Sequence, residues 1–373
     1  MKAIIPTSGK PAEALIGLLK TLLRQGMVKA WLLPISSSGN SVNYALVREE
    51  AILDKARPFA PVMYINLARA LSTVAKRGGG GKIGALLRPC EQRAFVELVK
   101  FHQIDPQSVL IVGMDCPGTY ELKDYSAFGE KEAAEEAFLL KLKDGEILPG
   151  DGLRLRQACE ICVHFIPVMD GGYTPELAVR LLGMDPLEAI VLEGDEGLLG
   201  QLGLEGKGEP TPKPETVAAL REKRVARRKE VLSEILGRVR GIEGLKSYFA
   251  TCIRCHNCMV NCPICYCPDC VFRTETFERT ASQYLAWAER KGAVPMLPDL
   301  LLFHLTRMNH MVTSCVECGM CTTACPVGID VGALFTAIGE RAQALFNYLP
   351  GRSLDEPPPV ATFKESEFVE LGH

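Results

Sequence analysis

The sequence predicts an α/β domain with a mostly parallel sheet over residues 1–204, followed by an α-helical domain over residues 246–350. Three observations lead to this prediction. Helix-like and strand-like segments alternate through the first 200 residues, a linker-like stretch follows them, and two cysteine-rich runs lie among helical segments beyond it. At 373 residues, the chain is long enough for two or three domains with cores of their own.

The amino-terminal segments alternate in hydrophobic periodicity. Long segments with apolar residues at helical spacing predict helices, and short apolar runs predict buried strands. The predicted order is helix Ala12–Gln25, strand Lys29–Pro34, helix Pro61–Lys76, strand Lys82–Leu87, helix Arg93–Phe101 and strand Ser108–Gly113. Such alternation is typical of a sheet whose parallel strands are joined by helices.

Residues 205–245 are predicted to form a linker and a basic helix. The stretch EGKGEPTPKPET, which begins at Glu205, combines glycines, prolines and charges. The helix over Val217–Val239 carries the sequence RVARRKE. We expect its basic face to be solvated, and docking of an anionic partner is the alternative.

The carboxy-terminal domain is predicted to contain three long helices. They cover Glu278–Arg290, Pro298–Val312 and Val331–Leu349. The first two separate the cysteine-rich runs, which form a degenerate internal repeat. Residues 351–373 are rich in proline and acidic residues, so we expect an extended tail that covers a surface or stays mobile.

Both cysteine-rich runs have the spacing C-x2-C-x2-C-x3-C-P. They read TCIRCHNCMVNCPICYCPDC from Thr251 and SCVECGMCTTACP from Ser314. This spacing is typical of proteins with two [4Fe–4S] clusters, in which the fourth cysteine of each run binds the cluster of the other run. The predicted ligand sets are Cys252, Cys255, Cys258 and Cys325 for one cluster, and Cys315, Cys318, Cys321 and Cys262 for the other.

Zinc is the main alternative at these runs, although zinc sites usually have two close cysteines in each half. Disulfides are less favoured, because the amino-terminal residues lack a secretory signal pattern and predict a reducing, cytoplasmic setting. The net charge of −3 argues against a dedicated nucleic-acid binder. No apolar stretch reaches the roughly 18 residues of a transmembrane helix.

Four further cysteines lie in the α/β segment. Cys90 and Cys116 each follow a predicted strand, and Cys159 and Cys162 form a C-x2-C pair. Because loops after different parallel strands converge, the four thiols are predicted to bind a third [4Fe–4S] cluster. Burial of Cys90 and Cys116 as small apolar side chains is the alternative.

The strings LLRPCEQRAFVELVK, IVGMDCPGT and LRQACEIC resemble the β subunit family of deazaflavin-reducing hydrogenases and dehydrogenases. Within that family, the likeness is closest to the formate dehydrogenase β subunit with a carboxy-terminal two-cluster ferredoxin domain. The resemblance covers about residues 1–200 through scattered motifs, and the cluster domain matches the extension. It implies FAD and one [4Fe–4S] cluster in the α/β domain, bound by Cys90, Cys116, Cys159 and Cys162, and so three clusters in all.

The flavin contacts are less clear in the sequence, because no G-x-G-x-x-G pattern follows the first strand. The resemblance implies contacts at Ser8, Gly9, Asn66, Arg88 and Pro89. A glycine run from Gly78 offers backbone N–H groups and a cation for a pyrophosphate, at Gly80, Gly81 and Lys82. A mobile turn is the alternative for the glycine run.

The resemblance implies a flavin and iron–sulfur electron-transfer subunit of a larger complex. FAD would exchange hydride with a soluble carrier such as deazaflavin or NADH, and no catalytic side chain is needed. Electrons would pass to a catalytic subunit of formate dehydrogenase or hydrogenase, or to a heterodisulfide-reductase-type subunit. A wiring subunit without flavin is the alternative, and a zinc-stabilised scaffold is a third.

Several residues have no assigned role. Cys265, Cys267 and Cys270 could bind a further metal, replace a predicted ligand, or have no binding role. His256, within the first run, is expected to be a spacer or a hydrogen-bond donor to cluster sulfur. We expect His304 to be a packed core histidine, with a contact to a cluster ligand as the alternative.

Overall fold

A seven-stranded sheet with apolar cores on both faces dominates the amino-terminal part of the computed structural model. The structure describes residues 1–37, 41–76, 80–128, 131–143, 152–169, 171–204, 213–293 and 299–362, without the side chains of residues 131–134. The strands are β1 Lys2–Pro6, β2 Ala30–Ser37, β3 Ser41–Val47, β4 Ile83–Leu87, β5 Val109–Met114, β6 Leu177–Arg180 and β7 Ala189–Gly194. Their spatial order is β1-β7-β6-β5-β4-β2-β3.

The sheet is mixed, which corrects the expectation of a mostly parallel sheet. Strands β2, β4, β5 and β6 form a continuous parallel block. Strand β3 pairs antiparallel with β2, and β7 pairs antiparallel with both β1 and β6. Only three residues separate β2 from β3, and so short a connection allows a hairpin but no parallel crossover.

Helices of the amino-terminal part connect and cover the strands. Their bounds are α1 Pro11–Arg24, α2 Glu50–Leu53, α3 Leu67–Lys76, α4 Pro89–Lys100, α5 Leu122–Ala127, α6 Lys131–Leu140, α7 Gln157–Glu160 and α8 Glu196–Gln201. The helix predicted over 61–76 begins only at Leu67. The reason is that the carbonyl oxygens of Pro61 and Val62 accept hydrogen bonds from Tyr120 and Arg88 instead of from helical N–H groups.

The carboxy-terminal part is helical, as the sequence predicts. Its helices are α9 Pro214–Arg238, α10 Gly241–Phe249, α11 Asn257–Val260, α12 Ala281–Lys291, α13 Leu300–Met311, α14 Met320–Thr323 and α15 Val331–Leu345. Short 3₁₀ turns occur in both parts of the chain. One precedes β5, at Pro106–Ser108, and the others lie at Val271–Arg273, Glu275–Phe277, Val312–Ser314 and Pro359–Ala361. Part of the predicted linker, residues 205–212, lies outside the described residues.

One of the two apolar cores contains side chains from both parts of the chain. Along β2, Trp31 and Leu33 face the core that contains α1, whereas Leu32 faces the opposite core, as alternation along a strand requires. That second core joins Phe95 of α4 to Phe335 of α15. The helical part therefore packs directly against the α4 face of the sheet.

The basic helix α9 corrects another expectation, since two of its arginines are buried rather than solvated. Arg224 is 4% exposed and Arg228 is 8% exposed. Arg228 forms an ion pair with Glu317 at 2.7 Å, and Arg224 Nη1 donates to the carbonyl oxygen of Cys162 at 3.3 Å. Two arginines of this helix therefore contact the loops that carry the cysteines.

The described part of the tail covers a surface of the amino-terminal domain. The Tyr348 hydroxyl donates to the buried Glu97 carboxylate at 2.7 Å, and Gly351 N–H donates to the same carboxylate at 2.9 Å. The backbone N–H of Tyr173 donates to the carbonyl oxygen of Arg352 at 2.5 Å. Residues 363–373 lie outside the described residues.

Candidate metal centres

The four amino-terminal cysteines line a single cavity, which we call the amino-terminal site: Cys90, Cys116, Cys159 and Cys162. Cys90 lies in the first turn of α4, directly after β4, and Cys116 follows β5. Because β4 and β5 are adjacent and parallel, both loops leave the same edge of the sheet. Cys159 lies in α7, and Cys162 follows that helix closely.

The amino-terminal site combines buried thiols with buried cations. Burial raises the pKa of Cys90 and Cys162, and it raises the pKa of Cys116 to about 12. The guanidinium of Arg88 opposes the shift at Cys116, and that of Arg224 opposes it at Cys162. Because thiols this buried need a strong counter-charge to ionise, the site suits thiolates bound to iron.

Hydrogen bonding at this site also suits cluster ligands. The backbone N–H of Thr119 donates to Cys159 Sγ at 3.3 Å, and the Thr119 hydroxyl lies 3.4 Å from the same sulfur. N–H donors to ligand sulfur are typical of iron–sulfur proteins. Within the described ranges, no three His, Cys, Asp or Glu side chains are arranged to hold a single metal ion.

The eight cysteines of the two runs are predicted to form two ligand sets, each with the fourth cysteine of the other run. We call the two predicted ligand sets the outer site, Cys252, Cys255, Cys258 and Cys325, and the central site, Cys262, Cys315, Cys318 and Cys321. Burial raises the pKa of each of Cys252 and Cys258, and the charge of Cys325 adds to both shifts. Burial also raises the pKa of Cys315, Cys318 and Cys321, and the charge of Cys262 adds to all three shifts. Cys325 and Cys262 therefore each lie near thiols of the other run.

The two runs repeat the same backbone conformation. Arg254 and His256 have left-handed φ values of 55° and 61°, and Glu317 and Gly319 have 61° and 67° at the corresponding positions. A four-residue helix follows in each run, α11 in the first and α14 in the second. Left-handed conformations at non-glycine residues are costly and cluster at functional sites, so their repetition indicates a shared local requirement.

Two side chains of α13 contact sulfur atoms of the outer site. Arg307 Nη1 donates to Cys258 Sγ at 3.2 Å, and His304 Nε2 lies 3.4 Å from Cys252 Sγ. The predicted core position of His304 is correct, since it is 1% exposed and stacks on Phe249. His256 stacks on Phe303, and its buried Nε2 has no hydrogen-bond partner among the described residues.

The central site adjoins the amino-terminal site. Cys318 lines the same cavity as the four amino-terminal cysteines, and its charge contributes to the raised pKa of Cys90, after burial and Glu91. Arg156, which is 3% exposed, bridges the two sites. Its Nη2 donates to the carbonyl oxygen of Cys318 at 2.8 Å, and its Nη1 donates to Thr119 Oγ1 at 3.3 Å.

The sequence motifs do not indicate the arginines that surround the three sites. The residues are Arg156, Arg224, Arg228 and Arg307, each buried in the structure. For Arg307, the only sequence signal is that it follows His304 by one helical turn, which places both on one face of α13. Nothing local in the sequence links either residue to the cysteines about 50 positions earlier.

The residues predicted to contact the flavin lie in different regions of the fold. Arg88 and Pro89 line the cavity of the amino-terminal site, and the buried Asn66 side chain faces Cys318. The other five predicted contacts lie elsewhere, at Ser8, Gly9, Gly80, Gly81 and Lys82.

Sheet topology separates these groups. Ser8 and Gly9 follow β1, which lies four strand positions from β4, or about 19 Å at the usual strand spacing. Gly80, Gly81 and Lys82 precede β4, at the edge opposite Arg88. The structure therefore does not bring the eight residues together in one flavin pocket.

The three unassigned cysteines lie beside the outer and central sites. Cys265 is partly buried, and the charges of Cys262, Cys267 and Cys270 contribute, after burial, to its raised pKa of about 11. Cys267 is exposed, and Cys270 Sγ lies 3.8 Å from the sulfur of Met259.

Residues 248–329 match the family model described as the 4Fe-4S dicluster domain. This segment contains every cysteine of the central and outer sites. The chain therefore combines an α/β domain with a carboxy-terminal segment that matches a 4Fe-4S dicluster domain.

Similarity to known proteins extends beyond that segment. Over 316 residues, the chain is 27% identical to the F420-dependent formate dehydrogenase subunit beta of Methanocaldococcus jannaschii, covering 76% of this chain and 78% of that protein. It is 28% identical over 309 residues to the F420-dependent formate dehydrogenase 1 subunit beta of Methanococcus maripaludis, covering 75% of each. The resemblance drawn from the sequence is confirmed, because the chain is similar to these β subunits over about three quarters of its length.

A solved structure also shows similarity. One chain of the xenon-derivatised F420-reducing [NiFe] hydrogenase complex from Methanosarcina barkeri aligns with a TM-score of 0.46 and 14% identity, over 65% of this chain and 93% of that chain.

Among the described residues, no helix has the length and apolar character needed to cross a membrane.

Proposed function

We propose that this chain is the electron-transfer β subunit of a larger oxidoreductase, and that it carries three [4Fe–4S] clusters in series. The observation that carries the proposal is the shared cavity in which Cys318 meets the four cysteines of the amino-terminal site. This contact gives electrons a continuous route from the α/β domain into the dicluster domain. The relatives named above make formate dehydrogenase the leading partner class.

Each proposed cluster has a complete set of four thiols. The amino-terminal site, the central site and the outer site supply twelve cysteines, which matches about twelve irons per chain at four irons for each cluster. The central site lies between the other two, because it contacts the amino-terminal site through Cys318 and exchanges a cysteine with the outer run. Cys255 of the outer site is exposed, so we place the exit to an electron partner there.

The electron source that we propose is a soluble hydride carrier, either deazaflavin or NADH, acting through FAD. A flavin converts between hydride transfer and single electrons, which iron–sulfur clusters require. Because the eight predicted flavin residues do not meet, we retain only Arg88 and Pro89, at the amino-terminal cavity, as flavin contacts. We assign no step of the reaction to the other six residues.

A wiring subunit without flavin is the second candidate function. The observation that favours it is the separation of Ser8 and Gly9 from Arg88 across four strand positions. In that case the chain would relay single electrons between partner subunits, and it would not react with a hydride carrier.

Anaerobic purification of the full chain separates these functions. We expect about twelve irons per chain and bound FAD, measured by elemental analysis and by flavin release on denaturation. Iron without flavin, and no flavin uptake on addition of FAD, would select the wiring subunit. Zinc in place of iron would contradict both functions.

A further inference from the structure

Arg307 is a buried cation that has no carboxylate partner in the part of the chain that the structure describes. It is 3% exposed, and none of the described Asp or Glu side chains forms an ion pair with it. Other arginines of the helical part have such partners, as Arg254 has in Asp299 at 3.0 Å and Arg228 has in Glu317 at 2.7 Å. A buried charge is costly unless another charge compensates it, so Arg307 requires a different anion.

The anion that the geometry offers is the sulfur of the cluster ligands. Arg307 donates through Nη1 to Cys258 Sγ at 3.2 Å and through Nη2 to the carbonyl oxygen of the same residue at 3.0 Å. Phe303 and Phe335 flank the guanidinium at 5.6 Å and 5.1 Å from its carbon, which excludes water from two sides. The charge therefore acts in an apolar setting, where it is weakly screened.

The outer and central sites differ in these contacts. At the outer site, both Cys258 and Cys252 have a nitrogen-bearing side chain against their sulfur, from Arg307 and His304. At the central site, the buried Arg156 donates to the carbonyl oxygen of Cys318 and not to its sulfur. Among the described residues, no arginine, lysine or histidine side chain hydrogen-bonds to the sulfur of a central-site cysteine. Arg307 acts on Cys262 and Cys321 only through its charge.

From this asymmetry, and resting on the proposed function, we propose that Arg307 raises the reduction potential of the outer cluster above that of the central cluster. Addition of one electron makes a thiolate-bound cluster more negative, and a fixed cation at Cys258 stabilises the more negative state. One electron leaves the central site and one arrives at the outer site, with no change of ligand. Arg307 is thus a positioning residue: its charge favours electron transfer from the central site to the outer site, where Cys255 is exposed.

The test is an anaerobic redox titration, followed by electron paramagnetic resonance, of the full chain and three variants. In R307Q, we expect the higher of the two dicluster midpoint potentials to fall. At the wild-type midpoint, the ratio of reduced to oxidised outer cluster should drop about tenfold or more, which corresponds to about 59 mV for one electron. R307K keeps the charge but not the paired N–H geometry, so its shift should be smaller and of the same sign.

Arg290 supplies the matched control, because R290Q removes the same charge from an exposed position of α12. Its midpoint potentials should equal those of the wild type, since water screens an exposed charge. Equal potentials in R307Q and wild type, with equal iron content, would overturn the inference. If R307Q does not retain its clusters, a fourth variant, R307M, decides the question, because it removes the charge but keeps an apolar side chain beside Phe303 and Phe335. An unshifted midpoint in R307M overturns the inference. Absence of cluster signals from the wild type would instead overturn the proposed function.

Discussion

Individual cysteines differ in the side chains that surround them, and so in their suitability as cluster ligands. Cys116 lies in a loop after β5, with Arg88 acting on its thiol, and it belongs to the proposed ligand set of the amino-terminal site. Cys270 lies close to the dicluster domain but contacts the sulfur of Met259. The structure therefore provides a ligand candidate and a matched cysteine outside the proposed ligand sets.

The first prediction concerns iron content. C116S should lower the iron content of the anaerobic protein by about four irons per chain, because serine is a poor ligand for the cluster at that site. C270S should leave the iron content unchanged. Elemental analysis with a protein assay measures both, and an equal loss in the two variants would contradict the ligand assignment.

The second prediction concerns stability at Arg88. This residue is 5% exposed, and its Nη2 donates to the carbonyl oxygens of Ala60 and Val62 at 2.7 Å and 3.1 Å, near the buried carboxylate of Glu91. R88M should lower the free energy of unfolding by about 3–5 kcal/mol, because it leaves a buried carboxylate and two carbonyls without their cation.

Arg154 is the control for that prediction. Arg154 pairs with Asp124 at 2.8 Å, but its own side chain is 71% exposed, so R154M should have a much smaller effect on unfolding. Anaerobic urea denaturation measures both variants. A similar loss of stability in the two would show that burial of the Arg88 pair does not matter.

Single residues also show the limit of reading this site from sequence. The cysteines were identifiable because ligand spacing is local, with gaps of two or three residues. The arginines were not, because Arg307 lies 49 positions from Cys258 and Arg156 lies 162 positions from Cys318. The direction in which a guanidinium points depends on packing between distant segments, and composition does not encode it.

At the scale of elements, the turn after Cys318 fixes how the dicluster domain meets α7. Gly319 has a φ of 67°, and a Cβ atom placed on it would overlap the Cβ of Ala158. Gly292 has a similar φ of 76° at the end of α12, but no atom of the described residues lies within 4 Å of a Cβ atom placed there. Substitution at Gly292 therefore tests backbone strain alone, whereas substitution at Gly319 tests backbone strain together with steric overlap.

The third prediction follows from that comparison. G292A should cost about 1 kcal/mol of unfolding free energy, the usual penalty for a left-handed alanine. G319A should cost a further 1–3 kcal/mol or so from overpacking, because α7 must move away from the turn. Urea denaturation of both variants under anaerobic conditions measures the difference, and equal costs would contradict the close packing at Ala158.

The elements themselves were predicted unevenly. Strands β4 and β5 were found because they are short, apolar and buried along their whole length. Strand β3, Ser41–Val47, was missed, since it alternates polar and apolar residues and follows serines. The basic helix was located correctly, but the burial of Arg224 and Arg228 depends on loops that only the tertiary fold brings to it.

At the scale of the whole molecule, the helical part and the sheet share a core. Buried Arg93 of α4 donates through Nε to the carbonyl oxygen of Pro350 at 2.8 Å and through Nη1 to that of Val316 at 3.2 Å. These partners are more than 200 positions away in the sequence, so no local pattern indicates the contact between the two domains.

The fourth prediction is that the two parts unfold together. Calorimetry of the anaerobic protein should show one cooperative transition, because loss of either part exposes the core that joins Phe95 to Phe335. Two well-separated transitions would contradict the shared core and would favour domains joined only by a linker.

The central claim is that this chain passes electrons from a two-electron carrier into a series of iron–sulfur clusters. The most direct measurement is anaerobic mixing of the FAD-supplemented full chain with the reduced deazaflavin coenzyme, followed by electron paramagnetic resonance of the rapidly frozen sample. We expect signals of reduced [4Fe–4S] clusters and oxidation of the coenzyme, with two electrons recovered per coenzyme. Clusters that dithionite reduces but the coenzyme leaves oxidised would contradict it.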